Sequence, residues 1–398
     1  MQTLRCVGIA RVLGPRAVLF GGLATVTLTL VACGGGGSSP MGANNPPPPP
    51  SPSYTASDLV SNRAGVPAGH VDANLVNPWG ITFSSQDFVW VANEGTSTST
   101  LYDGNGVTQP PLVAIPAGSS GAAGPTGVVA NETTDFVVTS GSASGASAFI
   151  LDGLGGTISG WAPAVDMSKA VVAYAGGSAG AEYTGLAIGH DAAGANFLFA
   201  ADFHNARVDV FDAQFKLVTT DGGFVDSSVP SGYAPFGIQN IPASDGSAQI
   251  YVTYAKQDTT ARLSVAGAGL GYVAIFDAHG VLLKHLISGG SLNAPWGIAL
   301  APANFGPLSG KLLIGNFGDG TVNGFDPASG AAGGTLMHAD GTAISIPDLW
   351  GIAFGNGVNN QPTTTLFYAA GVNAEADGVY GRIDYGTSAP MGGNPSPY

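Results

Sequence analysis

A three-residue phrase returns six times along this chain of 398 residues and constrains its fold more than any other feature. Each copy has an apolar or hydroxyl residue, then glycine, then an aliphatic residue, and successive glycines lie 47 to 60 residues apart. The copies occupy residues 79–81, 126–128, 184–186, 236–238, 296–298 and 350–352. Repeats of this length made of short strands are typical of β-propellers, so the sequence predicts an all-β, six-bladed propeller.

Two further apolar runs follow each phrase, and the second run ends in aspartate in all six repeats. In the second repeat these runs are residues 136–138 and 150–152. Runs rich in β-branched and aromatic residues are typical of strands, and an aspartate that follows a strand accepts backbone N–H bonds in the turn. We therefore interpret the aspartates as turn residues. Residues 57–63 precede the first phrase, and we expect them to close the ring as the outer strand of the sixth blade.

The N-terminus has the features of an export signal. Three arginines precede an apolar stretch over 17–31, and the sequence Leu-Val-Ala-Cys-Gly ending that stretch resembles a bacterial lipobox with Cys33 as the lipidated residue. Cys6, the other cysteine of the chain, would leave with the signal, and lipidation then explains the lone Cys33.

Four segments follow from this pattern. They are a signal peptide over 1–32, a Gly/Ser/Pro-rich tether over 33–55, the propeller over 56–386 and a flexible tail over 387–398. The expected location is the bacterial cell envelope, at the outer membrane, with the lipid anchor as the membrane contact. A monomer is expected.

Charge narrows the choice of partners. The chain carries 12 basic and 26 acidic side chains, a net charge of −14, and removal of the signal would make it −17. Such a surface repels phosphate groups, which argues against nucleic acid as a partner. The expected partners are an envelope protein or a neutral or cationic small ligand.

The third repeat is similar to a known family. Residues 198–212 read LFAADFHNARVDVFD and resemble the NHL repeat, and residues 313–326 resemble a degenerate copy of it. The opening of the first repeat, residues 75–93, is similar to a family of bacterial exported proteins. These resemblances imply a six-bladed, NHL-like propeller and no assigned reaction.

Oxygen-bearing side chains follow the second strand of several repeats. In a propeller these strand ends meet at the mouth of the channel where the innermost strands begin, so a polar-lined opening is expected there. Asn93, Glu94, Asp202 and Asn316 could hold Ca²⁺ at this mouth. The arrangement resembles gluconolactonase-like and paraoxonase-like hydrolases. The alternative is that these side chains cap strand ends by bonding to the backbone.

Histidine and aromatic residues supply further candidates. His204 is the histidine best placed for proton transfer, although histidines in loops are more often simply solvated. Trp79, Phe236, Trp296 and Trp350 begin four of the six phrases and could form a rim that stacks on a flat ligand. They could instead pack between blades, as large apolar residues at equivalent repeat positions normally do.

The leading interpretation is a lipid-anchored propeller that binds a ligand or protein partner at the channel mouth without catalysis. The alternative is a Ca²⁺-dependent hydrolase or lactonase at the same place, and a structural envelope protein is a third possibility.

No Gly-x-Ser-x-Gly, His-Glu-x-x-His or Cys/His cluster occurs in the sequence, so serine-hydrolase and zinc chemistry have no motif to support them. The loop over 254–271 is long and could be a lid or a tolerated insertion.

Overall fold

The computed structural model describes residues 52–118, 121, 123–176, 180–386 and 394–395. Contacts divide the chain into units 1–49 and 50–398, and the described residues all belong to the second. The expected signal peptide, Cys33 and almost all of the tether lie outside the described residues, as does most of the expected tail.

The predicted six-bladed, all-β ring is confirmed, because six antiparallel sheets of at least four strands follow one another around an axis. Two strands precede the first blade, β1 (Ser53–Ser61) and β2 (His70–Val71). Blade 1 consists of β3 (Pro78–Phe83), β4 (Val89–Asn93), β5 (Thr98–Tyr102) and β6 (Thr108–Ala114). Blade 2 and its hairpin contain β7 (Pro125–Ala130), β8 (Val137–Ser140), β9 (Ala143–Ala146), β10 (Phe149–Gly153), β11 (Thr157–Trp161) and β12 (Val171–Ala175).

The later blades are more regular. Blade 3 consists of β13 (Tyr183–His190), β14 (Asn196–Asp202), β15 (Arg207–Asp212) and β16 (Leu217–Val218), and blade 4 of β17 (Tyr233–Asn240), β18 (Gln249–Lys256), β19 (Tyr272–Asp277) and β20 (Leu282–Ser288). Blade 5 consists of β21 (Pro295–Leu300), β22 (Leu312–Asn316), β23 (Val322–Phe325) and β24 (Ala332–Thr335). Blade 6 has β25 (Leu349–Phe354), β26 (Leu366–Ala370) and β27 (Val379–Gly386), and the short β28 (Asn394–Pro395) pairs with β1. In the described part of the chain, 3₁₀ turns occur at Glu94–Thr96 and Gly306–Leu308.

The glycine of the repeated phrase lets neighbouring innermost strands approach closely. A Cβ atom on Gly80 would lie 2.5 Å from the carbonyl oxygen of Thr126 in the next blade. A Cβ atom on Gly351 would lie 2.5 Å from the carbonyl oxygen of Trp79, which is where the last blade meets the first. No side chain larger than hydrogen fits at such a distance, so the phrase recurs because the ring requires it.

The N-terminal strand closes the ring as predicted. β1 pairs antiparallel with β27, with Tyr54 opposite Tyr385, and so becomes the fourth strand of blade 6. It begins at Ser53, four residues before the predicted segment. The Tyr54 hydroxyl donates to the carbonyl oxygen of Phe305 at 2.6 Å, and this contact ties the strand to blade 5. Pairing of the chain's two ends covers strand edges that would otherwise be open.

Blade 2 differs from the prediction. Residues 136–138 were expected to form its second strand, but β8 and β9 form a separate hairpin, and the blade order is β7-β10-β11-β12. Residues 150–152 therefore belong to the second strand of the blade rather than the third. The interpretation of Asp152 as a turn residue is wrong for this reason, since its strand faces the innermost strand of the blade.

Turn chemistry does explain four of the repeated aspartates. Asp103 Oδ1 accepts the backbone N–H groups of Asn105 and Val107, each at 2.9 Å. Equivalent pairs of backbone bonds are accepted by Asp212, Asp277 and Asp326. Asp384 instead accepts the Thr365 hydroxyl and the Arg382 guanidinium, because the fourth strand of blade 6 comes from the N-terminus and β27 continues past Asp384 to Gly386.

Among the described residues, no helix has the length and apolar character needed to cross a membrane.

Candidate functional site

The two mouths of the channel are built differently. The innermost strands β3, β7, β13, β17, β21 and β25 run side by side around the axis. Each begins at one face, one to three residues before the repeated phrase, and ends at the other. Aromatic side chains gather at the first face, whereas a cavity opens at the second.

An aromatic plug, consisting of Trp79, Phe203, Phe236, Trp296, Phe317 and Trp350, fills the mouth where the innermost strands begin. Trp79 stacks on Trp350, with ring centroids 3.4 Å apart and an interplanar angle of 15°. Trp79 of blade 1 also meets Phe236 of blade 4 edge to face at 6.5 Å, so the contacts cross the axis. The expectation of a polar-lined opening at this mouth is therefore wrong.

Two of the tryptophans of the plug are fixed by hydrogen bonds. Trp350 Nε1 donates to Asn77 Oδ1 at 3.2 Å, and Trp296 Nε1 donates to the carbonyl oxygen of Thr184 at 2.7 Å. All four residues of the predicted ligand rim are buried, with between 1% and 9% of their surface exposed. They pack on one another as the packing interpretation requires, both between neighbouring blades, as Trp79 does on Trp350, and across the ring axis, as Trp79 does on Phe236.

Three of the predicted calcium ligands are fully buried at strand ends of three separate blades. Asp202 accepts the backbone N–H groups of Glu182 and Asn205 and the Asn205 side-chain amide. Asn316 Oδ1 accepts the backbone N–H of Asn293, and Asn93 donates its amide to Thr98 and Thr100. Apart from Asn93 Oδ1, which is buried without a hydrogen-bond partner, their polar groups serve the strands and turns around them, as strand-end caps do.

Glu94, the fourth predicted ligand, lies beside the plug. Its Oε2 accepts a hydrogen bond from Asn77 Nδ2 at 3.0 Å. Desolvation, together with the nearby carboxylates of Asp348 and Glu94, raises the pKa of Glu375 to about 7. These acidic side chains make the plugged mouth electronegative. Among the described residues, no three His, Cys, Asp or Glu side chains converge in a way that could hold a metal ion.

His204 lies beneath the long loop of blade 4. Its Nδ1 lies 3.2 Å from the carbonyl oxygen of Ala261, and Gln257 Nε2 donates to the carbonyl oxygen of Phe203 at 2.5 Å. Arg262 of the same loop pairs with Glu182. The loop over 254–271 is therefore attached to blade 3 and crosses the plugged face rather than covering an open mouth.

Asp152 is a buried acid that the sequence-based interpretation missed. Its Oδ1 accepts the Thr126 hydroxyl at 2.8 Å and the Gly127 N–H at 2.6 Å. Its Oδ2 has no hydrogen-bond partner, and the Gly185 N–H lies nearby but outside regular hydrogen-bond geometry. Because burial disfavours the charged form, the pKa of Asp152 is raised to about 6.

The open mouth leads into a funnel of about 720 Å³, formed by the C-terminal halves of the innermost strands. Every blade contributes a residue to its wall: Ile81, Val128, Ile188, Gln239, Ile298 and Ile352. A further cavity of about 30 Å³ continues along the axis past Gln239 and reaches Trp296 of the plug. The funnel is therefore a closed-ended cavity with mainly aliphatic walls.

Several polar side chains at the wide end of the funnel form hydrogen bonds within the protein. Asn356 Nδ2 donates to the carbonyl oxygens of Ser84 and Asp87, each at 2.8 Å. Glu132 Oε1 accepts the Ser85 N–H at 2.8 Å. Gln239 differs from these two residues, because its exposed amide makes one long bond of 3.4 Å to the carbonyl oxygen of Asn240. Gln239 therefore supplies the hydrogen-bonding group best placed to meet a ligand.

Comparison with known proteins places the chain among viral relatives. It is 32% identical over 333 residues to uncharacterized protein R648 of Acanthamoeba polyphaga mimivirus, covering 82% of this chain and 78% of that protein. It is 30% identical over 334 residues to uncharacterized protein L690 of the same virus, covering 82% of this chain and 84% of that protein. These relatives are viral proteins, whereas the repeats had suggested a bacterial exported family. No family model matches the chain.

Solved structures with a similar fold are β-propellers. A structural-genomics protein of unknown function from Bacteroides thetaiotaomicron matches with a TM-score of 0.52 at 12% identity, covering 84% of this chain and 77% of that one. Virginiamycin B lyase from Staphylococcus aureus matches with a TM-score of 0.45 at 12% identity, covering 84% of this chain and 99% of that one. At these identities the likeness concerns the fold.

Proposed function

We propose that this chain, which belongs to the family of the mimivirus proteins R648 and L690, binds a small molecule in the funnel without catalysis there. The proposed ligand is neutral or cationic and has an apolar body. The single observation that supports this proposal is the closed-ended funnel on the ring axis.

Size and chemistry both favour a small ligand. Small-molecule sites commonly enclose about 300–1,000 Å³, with apolar walls and a few polar groups that fix orientation, and 720 Å³ falls within that range. Aliphatic side chains from five of the six blades, among them Ile81 and Ile352, contribute to the apolar wall, and the Gln239 amide supplies a donor and an acceptor. The excess of 26 acidic over 12 basic side chains disfavours an anionic ligand.

Filling part of the funnel should weaken binding. The neutral dye Nile red is the probe, and its fluorescence is titrated against the full chain. We expect one saturable site per chain and a loss of affinity of about tenfold or more in Gln239→Trp, which corresponds to about 1.4 kcal/mol. The matched control is Gln214→Trp, which places the same bulk on an exposed turn of blade 3 and should leave binding unchanged. Equal affinities in both variants would contradict the proposal.

The proposed location is the bacterial cell envelope, reached through lipidation of Cys33. This part of the proposal rests on the sequence before residue 52, where a basic segment, an apolar stretch and a small residue precede the cysteine. In a bacterial host fed a palmitate analogue, the full chain should incorporate the label and sediment with membranes. Cys33→Ser should remain unlabelled, and a labelled Cys33→Ser protein would contradict the assignment.

A further inference from the structure

A serine, a histidine and an aspartate are hydrogen-bonded in series at the edge of blade 4. His285 Nδ1 lies 2.5 Å from Asp226 Oδ2, and His285 Nε2 lies 2.6 Å from Ser288 Oγ. The tautomer with hydrogen on Nδ1 satisfies both contacts, because it donates to the carboxylate and leaves Nε2 to accept the serine O–H. This is the order of contacts by which a histidine activates a serine as a nucleophile.

A β-bulge brings the serine and the histidine together. Both belong to β20, and residues three apart on a regular strand point to opposite faces of the sheet. The pairing of β20 with β19 shifts between Ile287 and His285, so Leu286 is the extra residue. One extra residue returns Ser288 to the face occupied by His285. Bulges that redirect a side chain in this way are frequent beside active sites.

Accessibility falls steadily along the three residues. Ser288 is exposed, the His285 side chain is 24% exposed, and the Asp226 side chain is 0% exposed. Asp226 lies in the loop between β16 and β17, and its Oδ1 accepts the Ser228 N–H at 2.8 Å, which fixes the orientation of the carboxylate. A buried carboxylate, a half-buried imidazole and an accessible hydroxyl are the arrangement that nucleophilic catalysis requires.

A backbone donor lies next to the serine. Gly289 and Gly290 follow Ser288 with φ angles of 60° and 64°, so the chain turns sharply there. The Gly289 N–H donates to the carbonyl oxygen of Gly271 at 2.9 Å. The Gly290 N–H donates to no acceptor in the described part of the chain, and the space beside its Cα is open. An N–H in this position can stabilise the negative charge that develops on a carbonyl oxygen.

We propose that Ser288, His285 and Asp226 form a second functional site, separate from the funnel, that hydrolyses carboxylic esters. Ser288 Oγ bonds to the ester carbonyl carbon while His285 Nε2 takes the hydroxyl proton. The bond from that carbon to the alcohol oxygen then breaks, and the alcohol leaves with the proton from His285. A water molecule attacks the acyl-serine in the same way, which releases the acid and restores Ser288. Ser288 and His285 are the catalytic residues, and Asp226 is a positioning residue.

The surroundings select a neutral ester with a flat or apolar group. The Tyr272 ring lies 6.1 Å from the His285 ring, and Tyr233 packs edge to face on Tyr272 at 4.9 Å. Aromatic faces of this kind bind flat apolar groups. The acidic balance of the whole chain works against an anionic substrate.

Diisopropyl fluorophosphate tests the nucleophile directly, because attack by Ser288 Oγ forms an O–P bond and releases fluoride. We expect one adduct per full chain, located at Ser288 by peptide mass spectrometry. Ser288→Ala should abolish labelling, and p-nitrophenyl acetate hydrolysis should fall with it. The matched control is Ser291→Ala, another exposed serine, which should label normally. Absence of an adduct in the folded chain, or labelling elsewhere than Ser288, would overturn the proposal.

Three further variants separate catalysis from structure. His285→Gln should slow labelling by about 100-fold or more, the usual contribution of a general base. Asp226→Asn should also slow labelling, whereas Asp226→Glu should restore part of the rate, because a carboxylate is again opposite Nδ1. If Asp226 and His285 only attach the loop to blade 4, their variants will unfold more readily while the folded fraction labels at the wild-type rate, and the proposal would then be wrong.

Discussion

Replacing Asp152 by asparagine is expected to stabilise the folded protein at pH 8, by about 3 kcal/mol, and to leave it nearly unchanged at pH 4. The wild-type carboxyl is 1% exposed, with one oxygen bonded to Thr126 and Gly127 and the other lacking a partner. An asparagine keeps the bonded oxygen and removes the charge. A neutral group of the same shape avoids the cost of burying an incompletely solvated carboxylate.

The sign of the pH dependence follows from the raised pKa. Burial moves the pKa of Asp152 from 3.8 to about 6, so between these values the folded state binds more protons than the unfolded state. Stability must therefore fall as pH rises through that window, and the loss is complete above pH 6. A shift of about two units corresponds to about 3 kcal/mol. Burial also raises the pKa of Asp202 and Asp348, so these groups make stability fall with rising pH as well. The difference in the free energy of unfolding between wild type and the Asp152 variant removes their contribution.

Urea unfolding at pH 4, 6 and 8 measures the difference. The matched control is Asp166→Asn in the same blade, because Asp166 is exposed and its pKa is lowered by hydrogen bonds from Ser168. That substitution removes a favourable charge and should not stabilise the protein at any pH. If the Asp152→Asn variant is only as stable as wild type at pH 8, or less stable, the prediction is wrong. The charged carboxylate would then be stabilised in the folded state by interactions that the structure does not show.

The ring was predictable from sequence because its strongest constraint is local. In five of the six phrases the glycine is required by the close approach of the neighbouring strand, as at Gly351, and Gly185 is the copy at which a Cβ atom would make only ordinary contacts. Closure by the N-terminal strand was predictable as well, since the last repeat lacks a fourth strand of its own. The ring depends on backbone geometry that the blades share, and this shared geometry requires similar residues at regular intervals along the sequence.

The environment of Asp152 was not predictable from its repeat position. A hairpin over β8 and β9 interrupts blade 2, and it shifts the assignment of every later strand in that repeat by one. The available signal was the pair of apolar runs that become β11 and β12, because the other repeats have a single run between the aspartate and the next phrase. Because the inserted hairpin directly follows the first strand, the order of apolar runs after the phrase does not reveal it, whereas the two runs before the next phrase do.

Contacts between distant segments left no trace in the sequence. The aromatic plug depends on which way four side chains turn at the start of their strands, and both the rim and the packed arrangement fit the same sequence. The contact between Asp226 and His285 joins residues 59 positions apart, and Ser288 meets His285 through a bulge. In a strand without a bulge, alternation of side chains would place Ser288 and His285 on opposite faces of the sheet. The bulge in β20 places them on the same face, and the sequence does not show where a bulge occurs.

Replacing Trp350 by alanine is expected to cause the largest loss of stability, about 3–5 kcal/mol. Trp350 is 1% exposed, stacks on Trp79, and stacks on Phe317 with centroids 4.2 Å apart. Its removal leaves a cavity on the ring axis and takes the hydrogen-bond donor from Asn77 Oδ1. Urea unfolding measures the loss. Trp350→Phe retains most of the packing and should lose markedly less, whereas a loss below about 1 kcal/mol in the alanine variant would contradict a close-packed plug.

Added indole should restore part of the stability that Trp350→Ala loses. Such a rescue shows that the loss comes from the missing side chain and not from general disruption of the ring. The alanine variant leaves an apolar space shaped for an indole ring between Trp79 and Phe317, and a ligand that binds only the folded state stabilises it in proportion to the logarithm of its concentration. We expect the unfolding midpoint of Trp350→Ala to rise with added indole and that of wild type to stay constant. If neither midpoint moves, the surrounding side chains have collapsed into the space, and the plug is then not the rigid end wall that closes the funnel.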